Sequence, residues 1–379
     1  MEGEIKNFIF VLATVLASLY YCYKIKKLTP KGKRRLSAIF PVVCLFLYLP
    51  LTLHTLHLGA TTSFLIGWLA TFKLLLLAFD KGPLSPQNTS ISFFQFTLLA
   101  CLPVNNINTR PSNVAENPDE TKSKTDFQSQ KSPPDSKIRE ISDQRLPEKY
   151  AKFTLYYAVQ VVIVVVLTKA YEYKDYVHPK LMMLLYCLHI YVALEILLAV
   201  AGALFRTVAQ VELEPPFDEP YLSTSLQDFW GRRWNLVVSN ILRLTVYDPV
   251  KSFSSRWMGR RWASVPAVLA TFFVSGLMHE MILYNIGRMR PTGEMMCFFL
   301  IHGACLALEF AFKKALNGKF KQPRLVSTPL VLFFVMITSL WLFMPPSLRC
   351  KADDMARRET AAYVEFVKDK LRDFRAFLV

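Results

Sequence analysis

Eight stretches of mostly apolar residues recur along the chain, and they limit its possible folds more than any other feature. They cover residues 5–23, 38–58, 61–79, 153–170, 181–205, 262–286, 295–312 and 325–344. A helix of about twenty apolar residues crosses the hydrocarbon core of a bilayer. With 53% hydrophobic residues and 29 phenylalanines among 379 residues, the composition also argues against soluble domains. The sequence therefore predicts an all-α polytopic membrane protein with about eight transmembrane helices.

Charge in the loops predicts how these helices are oriented. Seven Lys or Arg residues fall within residues 24–35, and the positive-inside rule places such a loop in the cytosol. The N-terminus would then lie in the lumen, with residues 5–23 as a retained anchor rather than a cleaved signal. The excess of 45 basic over 29 acidic residues lies mainly in loops, where it favours anionic lipid or substrate over nucleic acid as a partner.

Composition divides the chain into four parts. Residues 1–104 hold the N-terminal transmembrane helices, and the short apolar stretch 91–104 suits a re-entrant or interfacial piece rather than a crossing. Residues 105–150 are rich in Pro, Ser, Asp and Lys and predict a disordered cytosolic loop. A catalytic transmembrane core is expected over 151–348. Residues 349–379 have the spacing of an amphipathic helix on a membrane face, and the sequence leaves open which face.

Residues 226–247 fit neither a clean span nor a disordered loop. Tryptophan and arginine alternate here with Leu, Val and Ile in a helical rhythm, after a proline-rich break. This pattern predicts interfacial helices that dip into the membrane. Irregular or polar backbone at that depth is tolerated only where it lines a cavity in the protein. We therefore expect a membrane-embedded cavity at this place.

Three polar residues within or beside apolar stretches are candidates for chemistry. His279 and its neighbour Glu280 lie within a predicted span, where ionisable groups are costly and usually functional. His279 could act as a general base on a hydroxyl, or it could belong to a buried hydrogen-bond network. Asn235, 44 residues earlier, could hold a carbonyl or an oxyanion, or simply cap a helix. Glu280 could orient His279 or neutralise an arginine.

Other polar residues and absent motifs narrow the field further. Arg232 and Arg233 could bind phosphates of an anionic substrate or lipid headgroups, together with the nearby basic residues Arg206, Arg243 and Lys251. His302 and Glu309 are seven residues apart, so they share one helix face and indicate a polar interior seam. The seven cysteines are scattered without metal-site or disulfide spacing. Nucleophile-elbow, P-loop and dinucleotide-binding motifs are missing, which disfavours serine hydrolysis and ATP-driven transport.

The polar segments carry a resemblance to a known family. Residues 220–235, Pro-Tyr-Leu-Ser-Thr-Ser-Leu-Gln-Asp-Phe-Trp-Gly-Arg-Arg-Trp-Asn, and residues 274–280, Val-Ser-Gly-Leu-Met-His-Glu, closely resemble the wax-synthase branch of the plant membrane-bound O-acyltransferases. The likeness extends from residues 68–75 to residues 341–343. It implies a multi-pass enzyme of the endoplasmic reticulum that transfers an acyl group from acyl-CoA to a lipophilic hydroxyl. The family histidine falls on His279 and the family asparagine on Asn235.

The resemblance also implies an acceptor and binding residues. Arg-Arg-Trp-Asn stands where sterol and diacylglycerol branches usually carry Asp-Trp-Trp-Asn, which favours a long-chain fatty alcohol and wax ester synthesis. A sterol, or diacylglycerol including acetyl transfer to it, is the alternative acceptor. Acyl-CoA is expected as co-substrate, without metal or cofactor, near Arg232, Arg233, Trp230 and Trp234. A transporter of lipids or small solutes is the rival class, although no inverted repeat supports it.

Overall fold

The computed structural model describes residues 2–85, 91–103, 154–209, 216–315 and 323–378, and these are mostly helical. The main helices are α1 (Glu2–Leu28), α2 (Lys33–Tyr48), α3 (Leu56–Leu77), α4 (Phe93–Cys101), α5 (Thr154–Tyr176), α6 (Pro179–Ala209), α7 (Leu236–Leu242), α8 (Asp248–Trp262), α9 (Ser264–Gly287), α10 (Glu294–Ala315), α11 (Arg324–Arg349) and α12 (Ala352–Leu378). Within the described ranges, all except α4, α7, α8 and α12 are long and apolar enough to cross a membrane, which makes eight. The predicted all-α polytopic architecture is thus confirmed, while the predicted loop 105–150 lies outside the described residues.

Helix α4 does not cross the membrane. It has nine residues, which at about 1.5 Å per residue is less than half the thickness of a bilayer core. It begins at a capping box formed by Ser92 and Gln95, and it packs against α1 and α3. The buried ammonium of Lys73 donates to the carbonyls of Leu99 and Leu102 at the end of α4, where a helix dipole favours a cation. The short apolar stretch therefore forms a short packed helix and not a crossing, as expected for a re-entrant or interfacial piece.

The turn between α2 and α3 lies earlier than hydropathy predicted. Apolar residues 56–58 belong to α3 and not to α2, because the chain leaves the helical conformation at Leu53 after a 3₁₀ turn over Leu49–Thr52. The Glu4 carboxylate then accepts hydrogen bonds from the backbone N–H groups of His54 and Thr55 at 2.7 and 2.9 Å. The boundary is therefore set by the carboxylate that caps these backbone N–H groups, and not by a polar interruption of the apolar stretch.

The two ends of the chain lie on the same face of the helix bundle. Glu359 of α12 accepts hydrogen bonds from the backbone N–H groups of Leu56 and His57 at the start of α3. Lys174, at the end of α5, pairs with Asp354 of α12 at 3.1 Å. Since Glu4 of α1 also bonds to the α2–α3 turn, α12 follows the eighth crossing on the side where α1 begins. The side of the tail, which the sequence left open, is therefore that of the N-terminus.

Helices α9 and α10 form the closest helix pair around the cavity. A β-carbon at Gly276 would lie 2.9 Å from the Met296 sulfur, and one at Gly303 would lie 2.8 Å from the Phe272 β-carbon. Only glycine permits this approach, in the way that small residues bring membrane helices together. The pair carries His279 on α9 and His302 on α10, so its close packing fixes both side chains.

Candidate active site

A large cavity opens among α3, α6, α7, α9, α10 and α11 and the segment 226–235. Its volume is about 1090 Å³, and most of the side chains around it are apolar. That volume lies at the upper end of the ~300–1,000 Å³ range of ordinary small-molecule sites, so the cavity has room for more than one ligand chain. It extends from Thr61, near the end of α3 that faces α12, to Arg243 and Tyr247 after α7. The cavity expected from the dipping segment is present.

His279 lies on the wall of this cavity with a defined tautomer. Its Nδ1 is 2.8 Å from the backbone carbonyl oxygen of Ser275, one turn earlier in α9. A carbonyl oxygen can only accept, so Nδ1 carries the proton and Nε2 keeps its lone pair. The ring of Phe299 packs against the imidazole at 4.3 Å between centroids, and Trp68 meets it edge-on at 5.2 Å. The geometry leaves Nε2 able to accept a proton.

Asn235 lies on the same cavity wall and uses only part of its amide. Its backbone is left-handed, with φ 39°, and its Oδ1 accepts a hydrogen bond from the N–H of Val238 at the start of α7. The amide nitrogen Nδ2 makes no hydrogen bond to any residue that the structure describes. The sequence offered a helix cap and a catalytic amide as alternatives, but the cap needs Oδ1 alone. A donor is left over for a ligand.

The segment 226–235 reaches the depth of His279 because α10 holds it inside the protein. His279 is fifteen residues from Ser264, about 22 Å along α9, so a shallow Asn235 could not share its site. The indole N–H of Trp230 donates to Nδ1 of His302 at 3.1 Å, and Glu309 accepts from the backbone N–H of Leu226 at 2.9 Å. These bonds draw the segment along α10 to the cavity.

His302 and Glu309 therefore hold the segment 226–230 against α10. His302 accepts from Trp230 through Nδ1 and lies 2.9 Å from the Thr338 hydroxyl through Nε2, so both of its nitrogens are engaged. Glu309 pairs with Lys313 as well as with the segment backbone. Their seven-residue spacing indicated one polar face. It could not indicate that this face anchors residues 226–230.

Glu280 points away from the cavity. Its carboxylate accepts a hydrogen bond from the backbone N–H of Met296 at 3.2 Å, in the first turn of α10. It lines a small separate pocket with Tyr284 and Arg349. The imidazole is oriented instead by the hydrogen bond that its Nδ1–H donates to the Ser275 carbonyl oxygen. The carboxylate thus satisfies a helix N-terminus, a use that the sequence analysis did not consider.

Of the four residues expected to bind acyl-CoA, two lie on the cavity wall. Trp230 and Trp234 line it, and Trp234 stacks on Phe229 at 5.3 Å between ring centroids. Arg233 is engaged elsewhere, because its Nε donates to Asp228 at 3.1 Å and its Nη1 to the carbonyl oxygens at 218 and 219. Arg232 is exposed and does not line the cavity. The arginine on the wall is Arg243, which the sequence placed near Arg232 and Arg233 as a further possible phosphate binder.

Trp68 is a site neighbour that the sequence analysis did not identify as one. It comes from α3, where residues Ser63–Ala70 form a π-helical segment. Trp68 is almost completely buried, contacts the His279 ring and lines the cavity. The sequence showed this tryptophan only as part of the family likeness. Its closeness to His279, 211 residues later, depends on tertiary packing.

Comparisons with known proteins place these features in one family. Residues 213–301 match the model of the Membrane bound O-acyl transferase family, a segment that contains Asn235 and His279. The chain is 41% identical over 372 residues to acyl-CoA–sterol O-acyltransferase 1 of Arabidopsis thaliana, covering 98% of this chain and 99% of that protein. It is 40% identical over 372 residues to the long-chain-alcohol O-fatty-acyltransferase of Simmondsia chinensis, covering 98% of each. The probable long-chain-alcohol O-fatty-acyltransferase 1 of Arabidopsis thaliana is also 40% identical, over 370 residues.

Proposed function

Because the chain belongs to the membrane-bound O-acyltransferase family and is an O-acyltransferase, we propose that it esterifies a long-chain fatty alcohol with the acyl group of acyl-CoA. The product would be a wax ester. The enzyme would act as a multi-pass protein of the endoplasmic reticulum membrane, with acyl-CoA as its co-substrate. Long-chain-alcohol acyltransferases at 40% identity over nearly the full chain support this choice of acceptor.

The observation that carries the proposal is an imidazole on the wall of a large apolar cavity, with Nδ1 bonded to a backbone carbonyl and the lone pair kept on Nε2. Apolar walls suit two lipophilic chains, and about 1090 Å³ leaves space for both. A ternary complex is therefore the simplest arrangement. Acyl-CoA would enter where Arg243 lies at the end of the cavity opposite α12, on the cytosolic side in the predicted topology, and the alcohol would enter from the bilayer.

In this complex the acceptor hydroxyl attacks the thioester directly. Its oxygen bonds to the carbonyl carbon while Nε2 of His279 takes its proton. The carbon–sulfur bond then breaks, and the proton passes to the departing CoA sulfur. The products are an ester and free CoA, and no acyl-enzyme forms. The spare amide nitrogen of Asn235 would hold the carbonyl or stabilise the oxyanion, a contribution that depends on rigid placement.

A sterol is the second candidate acceptor. A relative named for acyl-CoA and sterol is 41% identical, against 40% for relatives named for long-chain alcohols. This difference is too small to separate the two acceptors. Both acceptors are lipophilic alcohols that would react by the same proposed mechanism. Specificity between them would therefore depend on how each fits the cavity.

The test incubates membranes containing the chain with labelled acyl-CoAs, from acetyl to long-chain, and with fatty alcohol, sterol or diacylglycerol. We expect a labelled wax ester with the fatty alcohol. His279→Ala should abolish it, since the base is lost. Glu280→Gln is the matched control, because this neighbouring side chain faces another pocket and glutamine can still accept from Met296. Its activity should stay within about a factor of three of the unsubstituted protein, as is usual away from the reacting atoms.

Three results would change the proposal. Ester formation with sterol alone would replace the acceptor and keep the chemistry. Substantial activity in an inserted, intact His279→Ala protein would remove the general base. Failure to form ester with any pair, from intact protein, would favour other acceptors and then the rival class of lipid or solute transporter.

A further inference from the structure

Trp68 carries a buried hydrogen-bond donor that no residue in the described parts of the chain accepts. Its indole Nε1 is shielded from solvent, and only 2% of the residue is exposed. Among the described residues, the other buried side-chain atoms in this state are Ser85 Oγ, Gln160 Oε1 and Arg357 Nε. None of those three residues lines the cavity, whereas Trp68 does. Because an unpaired buried donor is costly, such an atom beside a candidate base calls for an explanation.

The position of Trp68 connects it to both candidate site residues. It meets the His279 imidazole edge-on, with 5.2 Å between ring centroids and 78° between ring planes. Trp68 also belongs to one buried cluster with Val238, whose N–H donates to Asn235 Oδ1. It is held by the π-helical segment Ser63–Ala70; such segments are rare in proteins, and many of those known are found at functional sites. The indole therefore contacts the candidate base and shares a packed cluster with the helix that Asn235 caps.

We propose that the Trp68 indole N–H donates to the carbonyl oxygen of the bound acyl thioester and stabilises the negative charge that develops there. Indole is a donor only, and the thioester oxygen is an acceptor in both the bound state and the tetrahedral state. The acceptor hydroxyl is a poorer partner, because a donor on its oxygen would weaken it as a nucleophile. The charge returns to the carbon–oxygen double bond when the carbon–sulfur bond breaks, so Trp68 gives up no proton.

The shielding of Nε1 implies a movement when substrate binds. Phe64 lines the cavity and packs edge-on against Trp68, with 5.8 Å between ring centroids. It is half-buried, one turn earlier on α3, and is the neighbour best placed to yield to the carbonyl. Because Nε1 is shielded from solvent, a hydrogen bond at this atom would form with substrate and not with water. Such a donor is strengthened by the low dielectric around it.

The decisive variant replaces Trp68 with 3-benzothienylalanine in the full-length, membrane-embedded chain. Sulfur then stands where the N–H was, and the bicyclic shape is kept. This inference rests on the proposed function, so kcat and KM are measured with the acyl-CoA and acceptor that the unsubstituted protein esterifies. We expect kcat to fall on the order of 100-fold, as when one oxyanion donor is removed, and KM for acyl-CoA to stay within about twofold. The same replacement at Trp341, 67% exposed and away from the cavity, should leave both unchanged.

Failure of the Trp68 donor role can be distinguished from failure of the proposed esterification. If the unsubstituted protein forms no ester, the proposed function fails. If that protein is active and the benzothienylalanine variant at Trp68 matches its kcat, only the donor role is overturned. Thermal unfolding of each variant is measured alongside. Should the sulfur analogue unfold early, 7-azatryptophan at Trp68 keeps the N–H, and a kcat well below that of the unsubstituted protein would then overturn the proposal.

Discussion

Asn235 shows how one residue can satisfy two interpretations that appeared to compete. Its oxygen caps α7, its left-handed backbone turns the chain from Trp234 into the helix, and its amide nitrogen is left for the cavity. Asparagine is one of the few residues that tolerates this backbone while capping. In the proposed mechanism, the fold would fix the Asn235 side chain through its oxygen and leave the amide nitrogen for the substrate.

A substitution that keeps Oδ1 of Asn235 and removes Nδ2 tests the two roles separately. Asn235→Asp keeps an oxygen for Val238 and the same backbone tolerance, but it replaces the spare amide nitrogen with a second oxygen. We expect normal insertion and thermal stability with a loss of kcat on the order of 100-fold, because a donor to the carbonyl is lost. Detergent-solubilised protein gives the unfolding temperature, and ester formation gives kcat.

Asn235→Ala is the control for the cap. It removes both atoms and places alanine at positive φ, so we expect stability to fall by about 1 kcal/mol or more together with activity. If the aspartate variant kept full activity, the amide nitrogen would have no part in the reaction. If it unfolded like the alanine variant, the cap and the chemistry could not be separated at this residue.

At the scale of elements, carboxylates on one helix accept hydrogen bonds from the free N–H groups at the start of another. Glu4 and Glu359 serve the start of α3, Glu280 serves α10, and Glu309 serves the segment that begins at Leu226. An anion at a helix N-terminus gains from the unpaired N–H groups and from the helix dipole. These contacts explain why several acidic side chains lie at helix ends without serving the reaction.

The contact of Glu359 gives a pH prediction for α12. Burial alone would raise the pKa of Glu359, but hydrogen bonds from His57 and from the α3 backbone outweigh it and hold the pKa below its ordinary value. A carboxyl with a lowered folded-state pKa stabilises the protein fully above its unfolded pKa of about 4.3, and this contribution is lost as the pH falls through the folded value. Glu359→Gln should therefore lower the unfolding temperature at pH 7, and the difference should shrink as the pH falls through the lowered pKa of Glu359.

The comparison needs a second acidic group as control. Hydrogen bonds from Arg357 and Lys174 hold the pKa of Asp354 below its ordinary value, so this group also titrates on α12. Scanning calorimetry of Glu359→Gln, of Asp354→Asn and of the unsubstituted protein, from pH 7 to pH 3, separates the contributions of the two carboxylates. The assignment would be contradicted if the loss of unfolding temperature caused by Glu359→Gln grew as the pH fell. That trend is expected for a carboxyl whose pKa is raised in the folded state.

Element positions were predictable to the extent that they depend on burial in lipid. Leucine, valine and phenylalanine runs marked all eight spans, since a bilayer leaves few alternatives for apolar stretches of that length. The turn at Leu53 was misplaced because a carboxylate 50 residues away decides it. The role of Arg233 was likewise hidden, since its partner Asp228 meets it only when residues 229–233 adopt a π-helical turn.

At the scale of the whole molecule, the site combines distant parts of the chain. His279 and Asn235 belong to the segment that matches the family model, whereas Trp68 and Phe64 come from α3, well before it. The sequence could name the histidine and the asparagine, because ionisable or amide side chains in apolar surroundings are conspicuous. It could not name Trp68, because a tryptophan in a transmembrane helix is ordinary and only packing brings it to the imidazole.

The same packing predicts the topology of the molecule. Eight crossings return the chain to its starting side, and Lys174–Asp354 and Glu359–His57 fasten α12 there. The basic residues 24–35 assign the opposite side to the cytosol. We therefore expect an appended Asn-X-Thr acceptor to be glycosylated in the lumen at either terminus, and not when it is inserted within residues 24–35.

A shortened chain supplies the matched control for this topology. Ending the chain after α10 removes the eighth crossing, so a C-terminal acceptor should then remain unmodified on the cytosolic side. In the full-length chain, an unmodified C-terminal acceptor open to protease on intact microsomes would contradict the arrangement. Helix α11 would then fail to cross, although Thr338 on it contacts His302 at 2.9 Å. Because His302 holds Trp230, that result would also require a different route for residues 226–235 to the site.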